Sequence, residues 1–464
     1  MSPQLAGGRG GPGRLRPLLG VVLDALAEGA ARRAGPLPAG GPEAVAARVA
    51  QTLGEALPEH GTGVQEALRT LVRLTAEGAA DPAEPFCAAH LHCPPLAVAA
   101  AADLAASALN PSMDSWDQAP AATALEAAVT AALARLVHPG AAAPDALITT
   151  GGTESNQLAL LLARERAPGV RIVTGANVHH SVPRAAWLLG MPEPVVLDTP
   201  SGVLDPARAR TALAAVPGPA LLVATAGTTD TGVVDPLAEL ARAAREYGAA
   251  LHVDAAYGGP LLFSDREAPR LAGLAEADSV TLDLHKLGWQ PVAAGVLAVR
   301  EGESLRPLGH QADYLNAADD TEAGFPDLLG RSLRTTRRPD VLKIAVTLRA
   351  LGRQGLGRLV DTVCDRAREL ADLVERHPDL TLYARPAIST VLLRPAGAGD
   401  DAVAAIRRRL MLDGRAVLGR ARAGGRLWLK ATLLNPAQAA GDLEALLALV
   451  CATHQEGSTP DDRG

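Results

Sequence analysis

The chain reads as an α/β protein built on a large, mostly parallel seven-stranded sheet covered on both faces. Seven short apolar runs, at 146–149, 170–173, 195–197, 220–224, 251–253, 279–282 and 296–299, alternate with stretches of helical spacing. The runs are continuous rather than alternating apolar and polar, so neither face of their sheet is expected to be wet. A length of 464 residues, 48% hydrophobic and 20% charged, is that of an ordinary globular protein with a large core. Aromatic residues make up only 2%, so alanine, leucine and valine must fill that core.

The elements follow in order. Residues 1–13 are glycine-rich and 455–464 polar, and both are expected to be disordered tails. Residues 14–138 form a helical N-terminal segment: two helices between 15 and 75, joined by a Pro/Gly loop at 35–42, then helix from about 96 to 137. The seven strands occupy a domain at 139–340. From 341 to 454 the pattern gives helices at 341–351 and 356–375, strand-like runs at 389–393 and 427–429, and a helix from Pro436. This last part is a small α+β domain.

Net charge is −7, which gives no basic footprint for nucleic acid. Cys87, Cys93, Cys364 and Cys451 lack CxxC spacing, so neither a metal site nor a disulfide framework is expected, and a reduced cytoplasm is the simplest compartment. The apolar run 18–23 is interrupted by Asp24 and Glu28 and reads as a short amphipathic helix rather than a signal peptide. No segment approaches the roughly 20 apolar residues of a membrane span.

Chemistry concentrates at strand ends. Asp283-Leu284-His285-Lys286 closes an apolar run. A lone lysine there is usually solvated, but lysine is scarce in this chain, and a lysine in a dry pocket more readily loses the proton that imine formation must displace. Upstream, Asp254 ends the run before Ala255-Ala256-Tyr257-Gly258-Gly259. It reads either as a turn or N-cap aspartate or as the carboxylate that keeps a pyridinium nitrogen protonated, so that the ring serves as an electron sink. The small Ala256 would let a flat ring lie above the strand.

Thr150-Gly151-Gly152-Thr153-Glu154-Ser155-Asn156 follows a strand and opens a helix, where backbone amides favour an anion. The alternative is a capping box of Thr153 and Gln157. Thr225-Ala226-Gly227-Thr228-Thr229 makes a second such turn. Of His179-His180, one ring could stack on a flat cofactor, whereas adjacent histidines diverge too much to share a metal.

Taken in order, these motifs resemble the pyridoxal-phosphate group II decarboxylases, from about Phe86 to the C-terminus. Within that family the chain is most similar to the L-2,4-diaminobutyrate decarboxylases. The stretches behind the narrower likeness are His90-Leu91-His92-Cys93-Pro94-Pro95, Ser112-Met113-Asp114-Ser115-Trp116-Asp117-Gln118, Asp283-Leu284-His285-Lys286-Leu287 and Trp428-Leu429-Lys430-Ala431-Thr432-Leu433-Leu434-Asn435-Pro436.

The resemblance implies a fold-type I architecture and pyridoxal 5'-phosphate as cofactor. Lys286 would carry it, Asp254 would pair with the ring nitrogen, and His179 and Ala256 would lie against opposite ring faces. Gly152 and Thr153 would bind the phosphate, Thr228 would lie near the ring, and His285 would assist proton transfer. It also implies a homodimer with shared sites, where His92, Trp116 and Gln118 would line the partner's substrate pocket.

Two departures stand out. Asp283 occupies a position where many members carry a phosphate-holding asparagine, and it would repel phosphate unless turned away or paired with an arginine. The region 313–338, where members carry a loop tyrosine that protonates the product, offers Phe325 at the aligned position and Tyr314 nearby. Arg337 and Arg338 could bind a carboxylate or phosphate, or be surface charge. The expected reaction is decarboxylation of an L-amino acid, with L-2,4-diaminobutyrate first. Glutamate or aspartate, lysine or ornithine, and aromatic amino acids are alternatives. So are aminotransfer, decarboxylating oxidation, and a non-catalytic structural role, which the intact Lys286/Asp254 pair argues against.

Overall fold

The computed structural model describes residues 5–310 and 312–458. It divides into two compact units: Met1–Pro94 with Arg366–Arg385 and Thr390–Gly464, and Pro95–Asp365 with Pro386–Ser389. The segments 14–138, 139–340 and 341–454 cut the chain elsewhere.

The second unit contains the seven-stranded sheet. Its strands run in the order Asp145–Thr149, Gly295–Val299, Ser279–Asp283, Ala250–Asp254, Ala220–Thr225, Arg171–Gly175, Val195–Leu197. Neighbours are parallel except around Gly295–Val299, which is antiparallel to both of its partners. All five residues of that strand are buried. Helix Gly152–Arg166 contributes to two apolar clusters against the sheet, Leu158 and Leu162 with Leu147 and Leu297, and Leu160 with Ile172 and Val223. Each such leucine stabilises the unit by about 1.5–3 kcal/mol.

Parallel strands bring their carboxyl ends to one edge, where open α/β sheets bind ligands. Thr225, Asp254 and Asp283 each end a strand at that edge. Gly295 sits beside them: a Cβ there would meet Thr149 Oγ1 at 2.4 Å and the Gly151 backbone at 2.5 Å, so only glycine admits this close approach.

One expectation about membranes needs correction. Helix Pro120–Val137, 18 residues, is long and apolar enough by composition to cross a bilayer. Within the unit, however, it buries Thr123, Glu126, Val129, Thr130, Leu133, Ala134 and Val137. Glu126 takes a bidentate bond from Arg337, both at 2.9 Å, with side chains only 6% and 2% exposed. A buried carboxylate needs such a partner, and the pair ties this face of the helix into the unit. Removing the guanidinium strands the charge, so Arg337→Ala is expected to lower stability by about 3–5 kcal/mol. Urea unfolding would show this as a lower midpoint at unchanged slope. A variant within about 1 kcal/mol of the parent would mean that the pair behaves as an exposed one.

In the first unit the N-terminal segment holds three helices rather than two: Gly11–Arg33, Gly41–Leu53 and Val64–Glu77. The extra break falls at 54–63, where Gly54 and Gly63 adopt φ of +61° and +95° around Pro58. The run at 18–23 lies inside a 23-residue helix, not a short one, and that helix starts within the expected tail. Residues 1–4 of that tail lie outside the described residues. Likewise the last helix, Ala440–Ser458, starts four residues after Pro436 and continues into 455–458, while 459–464 lie outside the described residues.

The five-stranded sheet of this unit runs Cys87–Ala88, Val417–Ala423, Arg426–Thr432, Thr390–Pro395, Leu380–Leu382, so it recruits a strand from the N-terminal part. The two helices expected at 341–351 and 356–375 are present within Val341–Arg376, separated at Gly352, whose φ of +64° and ψ of 175° are not helical.

Candidate active site

Strand periodicity sets the site. His252 and Asp254 point to one face of strand Ala250–Asp254, opposite Ser279 and Thr281 of the neighbouring strand. The face carries a buried polar network. Asn156, from helix Gly152–Arg166, donates through Nδ2 to Asp254 Oδ2 and to Ser181 Oγ, both at 2.8 Å. Its Oδ1 accepts from Thr281 Oγ1 at 2.8 Å and His252 Nε2 at 3.0 Å. Asp254 Oδ1 accepts from the Ala256 backbone at 3.1 Å, so the aspartate does serve its turn as well.

Donor and acceptor roles follow from these contacts. An ionised Asp254 can only accept, so Nδ2 of Asn156 must face it. His252 then donates from Nε2, and its Nδ1 takes a hydrogen bond from Ser279 Oγ at 2.8 Å. Burial lowers the His252 pKa to about 4, with Asp254 opposing that shift. Between about pH 6.5 and 4 the unfolded chain therefore binds a proton here that the fold refuses, and stability falls as pH drops through that window. His179 Nδ1 receives both the Ser181 backbone N–H (3.3 Å) and the Ser181 hydroxyl (2.8 Å). Its proton thus resides on Nε2, and burial lowers its pKa, with Asp254 opposing.

Lys286 lies in the short helix after strand Ser279–Asp283. Its Nζ is 2.9 Å from Asp283 Oδ2, and the lysine side chain is 19% exposed. His285 Nε2 is 3.6 Å from the same oxygen. Burial depresses the His285 pKa, Asp283 opposing. Asp283 thus pairs with the lysine rather than with an arginine, and its buried Oδ1 has no hydrogen-bond partner.

Gly151 precedes helix Gly152–Arg166, where no side chain caps the N-terminus. The capping box of Thr153 and Gln157 does not form. Instead Glu154 Oε2 accepts from the Thr150 backbone at 2.6 Å and its hydroxyl at 2.7 Å. A Cβ on Gly151 would lie 2.9 Å from His285 Cε1, and one on Gly152 would lie 3.0 Å from Ala256 Cβ and 3.1 Å from Asp283 Oδ2. Gly152, Ala256, Asp283 and His285 therefore lie close together at the carboxyl edge of the sheet. Thr153 is exposed, while Thr228 is buried and bonded to Thr231 Oγ1 at 2.9 Å.

The remaining candidates lie in other settings. Trp116 packs edge-on against Phe325, ring centroids 5.2 Å apart, whereas Tyr314 is 81% exposed. Gln118 donates to Asp114 and Ser115, and Ser115 in turn donates to Asp117. His92 is exposed and belongs to the first unit. Arg338 bonds Asp103 and Ser107, so with Arg337 on Glu126 neither arginine is spare surface charge. No cluster of His, Cys, Asp and Glu suited to a metal occurs among the described residues.

The set fits pyridoxal phosphate: an amine, an acceptor-only carboxylate held by neutral groups, the small Ala256 two residues after it, and a glycine turn at a helix start. Residues 47–395 match the family described as pyridoxal-dependent decarboxylase conserved domain. The chain belongs to that family. It is a pyridoxal-phosphate-dependent amino-acid decarboxylase, a carboxy-lyase of fold-type I.

Two relatives are the L-2,4-diaminobutyrate decarboxylases of Rhizobium meliloti (strain 1021), 40% identical over 87% of this chain and 84% of that one, and of Acinetobacter baumannii, 32% identical over 85% and 84%. Among solved structures, the glutamate decarboxylase domain of diaminobutyrate-pyruvate transaminase and L-2,4-diaminobutyrate decarboxylase from Vibrio parahaemolyticus superimposes with TM-score 0.85 at 29% identity, covering 97% of this chain and 98% of that one. Oryza sativa TDC, crystallised with PLP and tryptamine, shares the fold with TM-score 0.86 at 24% identity, covering 96% and 98%.

Asn156, Ser181, His252 and Thr281 escaped the sequence reading. Only two signals pointed to them: His252 lies two residues before Asp254, and Asn156 lies one helical turn after Gly152.

Proposed function

We propose that this decarboxylase acts on L-2,4-diaminobutyrate and releases 1,3-diaminopropane. The observation that carries the reading is the 40% identity to the Rhizobium relative along 87% of the chain. The spent charges of Arg337 and Arg338 support it, because neither guanidinium is left to hold an acidic side chain.

In this reading Lys286 carries the cofactor and later moves a proton. Asp254 keeps the ring nitrogen protonated, and His179 and Ala256 bracket the ring. Gly152 and Thr153 hold the phosphate, with Thr228 and His285 beside the ring. Bound there, pyridoxal phosphate supplies a sink for the electron pair left on Cα as CO2 departs. In the dimer, His92, Trp116 and Gln118 line the substrate pocket of the partner subunit, and Phe325 leaves no hydroxyl at its place.

Relative kcat/KM across L-2,4-diaminobutyrate, ornithine, lysine, glutamate, aspartate and tyrosine tests the substrate. Diaminobutyrate should lead. Glutamate, aspartate or tyrosine ahead by tenfold, about 1.4 kcal/mol of transition-state discrimination, would overturn the diamino reading and leave the decarboxylase intact.

The proposal extends to a homodimer in the cytoplasm, in keeping with four cysteines that lack CxxC spacing. Light scattering should return twice the 47.5 kDa chain mass, and a fully active monomer would refute the dimer.

A further inference from the structure

We propose that Asn156 is a positioning residue that orients Asp254 toward the cofactor's ring nitrogen. The inference rests on Asp254 facing that nitrogen, as in the proposed function.

Asn156 is fully buried and uses its whole side chain. Both of its N–H groups donate, one to Asp254 Oδ2 and one to Ser181 Oγ. Both lone pairs of Oδ1 accept, from Thr281 Oγ1 and His252 Nε2. A flipped amide would set oxygen against carboxylate and NH2 against the His252 N–H, so one orientation survives.

Every neighbour of the carboxylate in this network is neutral: an amide, two hydroxyls (Ser181 and Thr281), and an imidazole whose only proton points at Asn156. With Oδ2 held by Asn156 and Oδ1 by the Ala256 N–H, the carboxylate cannot swing. Its charge is left for a cation arriving from the cleft. Through Ser181, the same amide also sets His179 as a donor from Nε2.

The test compares cofactor affinities of the purified enzyme after the cofactor has been stripped, read from absorbance on titration. Two probes are used: pyridoxal phosphate and its 1-deaza analogue, in which CH replaces the ring nitrogen. Asn156→Ala should weaken pyridoxal phosphate by about tenfold to hundredfold, the range for a hydrogen bond to a charged group. It should leave the 1-deaza analogue within about twofold, because an analogue without the nitrogen gains nothing from an aimed carboxylate.

Equal losses for both probes would mean a merely structural role and overturn the proposal. So would an unchanged affinity for pyridoxal phosphate in Asn156→Ala beside a weakened one in Asp254→Ala. If Asp254→Ala itself binds pyridoxal phosphate normally, the placement of Asp254 falls, and this inference with it. Should Asn156→Ala not fold, Thr281→Val frees the amide at the same shape and carries the same comparison.

Discussion

Replacing Lys286 with alanine is expected to cut turnover by more than about 10²–10⁴-fold, the range for loss of a group that moves a proton in the transition state. It should also abolish the absorption band that borohydride reduces in the parent. The chain has three lysines, which makes the assignment decidable. Lys343 is 0% exposed and ion-paired with Asp103 and Asp340. Lys430 lies in the first unit and is buried. Lys286 is 19% exposed and lies just past the strand end at Asp283, at the carboxyl edge of the sheet. Its Nζ lies 2.9 Å from Asp283 Oδ2, so the amine must leave that partner before it can bond to the cofactor. Peptide mapping after borohydride should find the reduced adduct on Lys286. An adduct on Lys343 or Lys430, or an alanine variant that keeps turnover within a few-fold, would sink the assignment.

The sheet was legible because its strands are buried on both faces. Runs such as 220–224 in the strand Ala220–Thr225 leave no polar register to confuse the reading. The strand-end positions of Asp254 and Asp283 follow from the same runs. Helix number was less legible, since Gly54 and Gly63 could have sat inside one amphipathic stretch, and only their left-handed or extended backbones separate two helices.

The pairings of the polar shell could not be read from the sequence. Asn156 meets Asp254 across 98 residues and Thr281 across 125, and Arg337 meets Glu126 across 211. Periodicity says which face a side chain takes, but it does not say which face will lie opposite. Arg337 therefore read as an anion-binding candidate, although its charge is consumed by Glu126.

Removing the Asp254 carboxylate is expected to lower turnover by about 10²–10³-fold, comparable to deleting one preorganised electrostatic contact from a site. Without it the ring nitrogen loses its proton and with it the capacity to accept electrons. Alanine and asparagine should differ in an informative way. Asp254 accepts at both oxygens, from Asn156 Nδ2 and from the Ala256 N–H. An asparagine at 254 offers one acceptor for those two donors, so one N–H must face another in a buried setting. Asp254→Asn should therefore lose stability, by about 1–3 kcal/mol for the stranded donor, in addition to its activity. Asp254→Ala should lose activity with the Asn156 N–H that faced Asp254 left to a water in the space the carboxylate vacates. Thermal unfolding of the cofactor-free variants separates the two effects from cofactor binding. If either variant kept turnover within a few-fold of the parent, Asp254 would be a turn residue, and the electron sink would need another source of its charge.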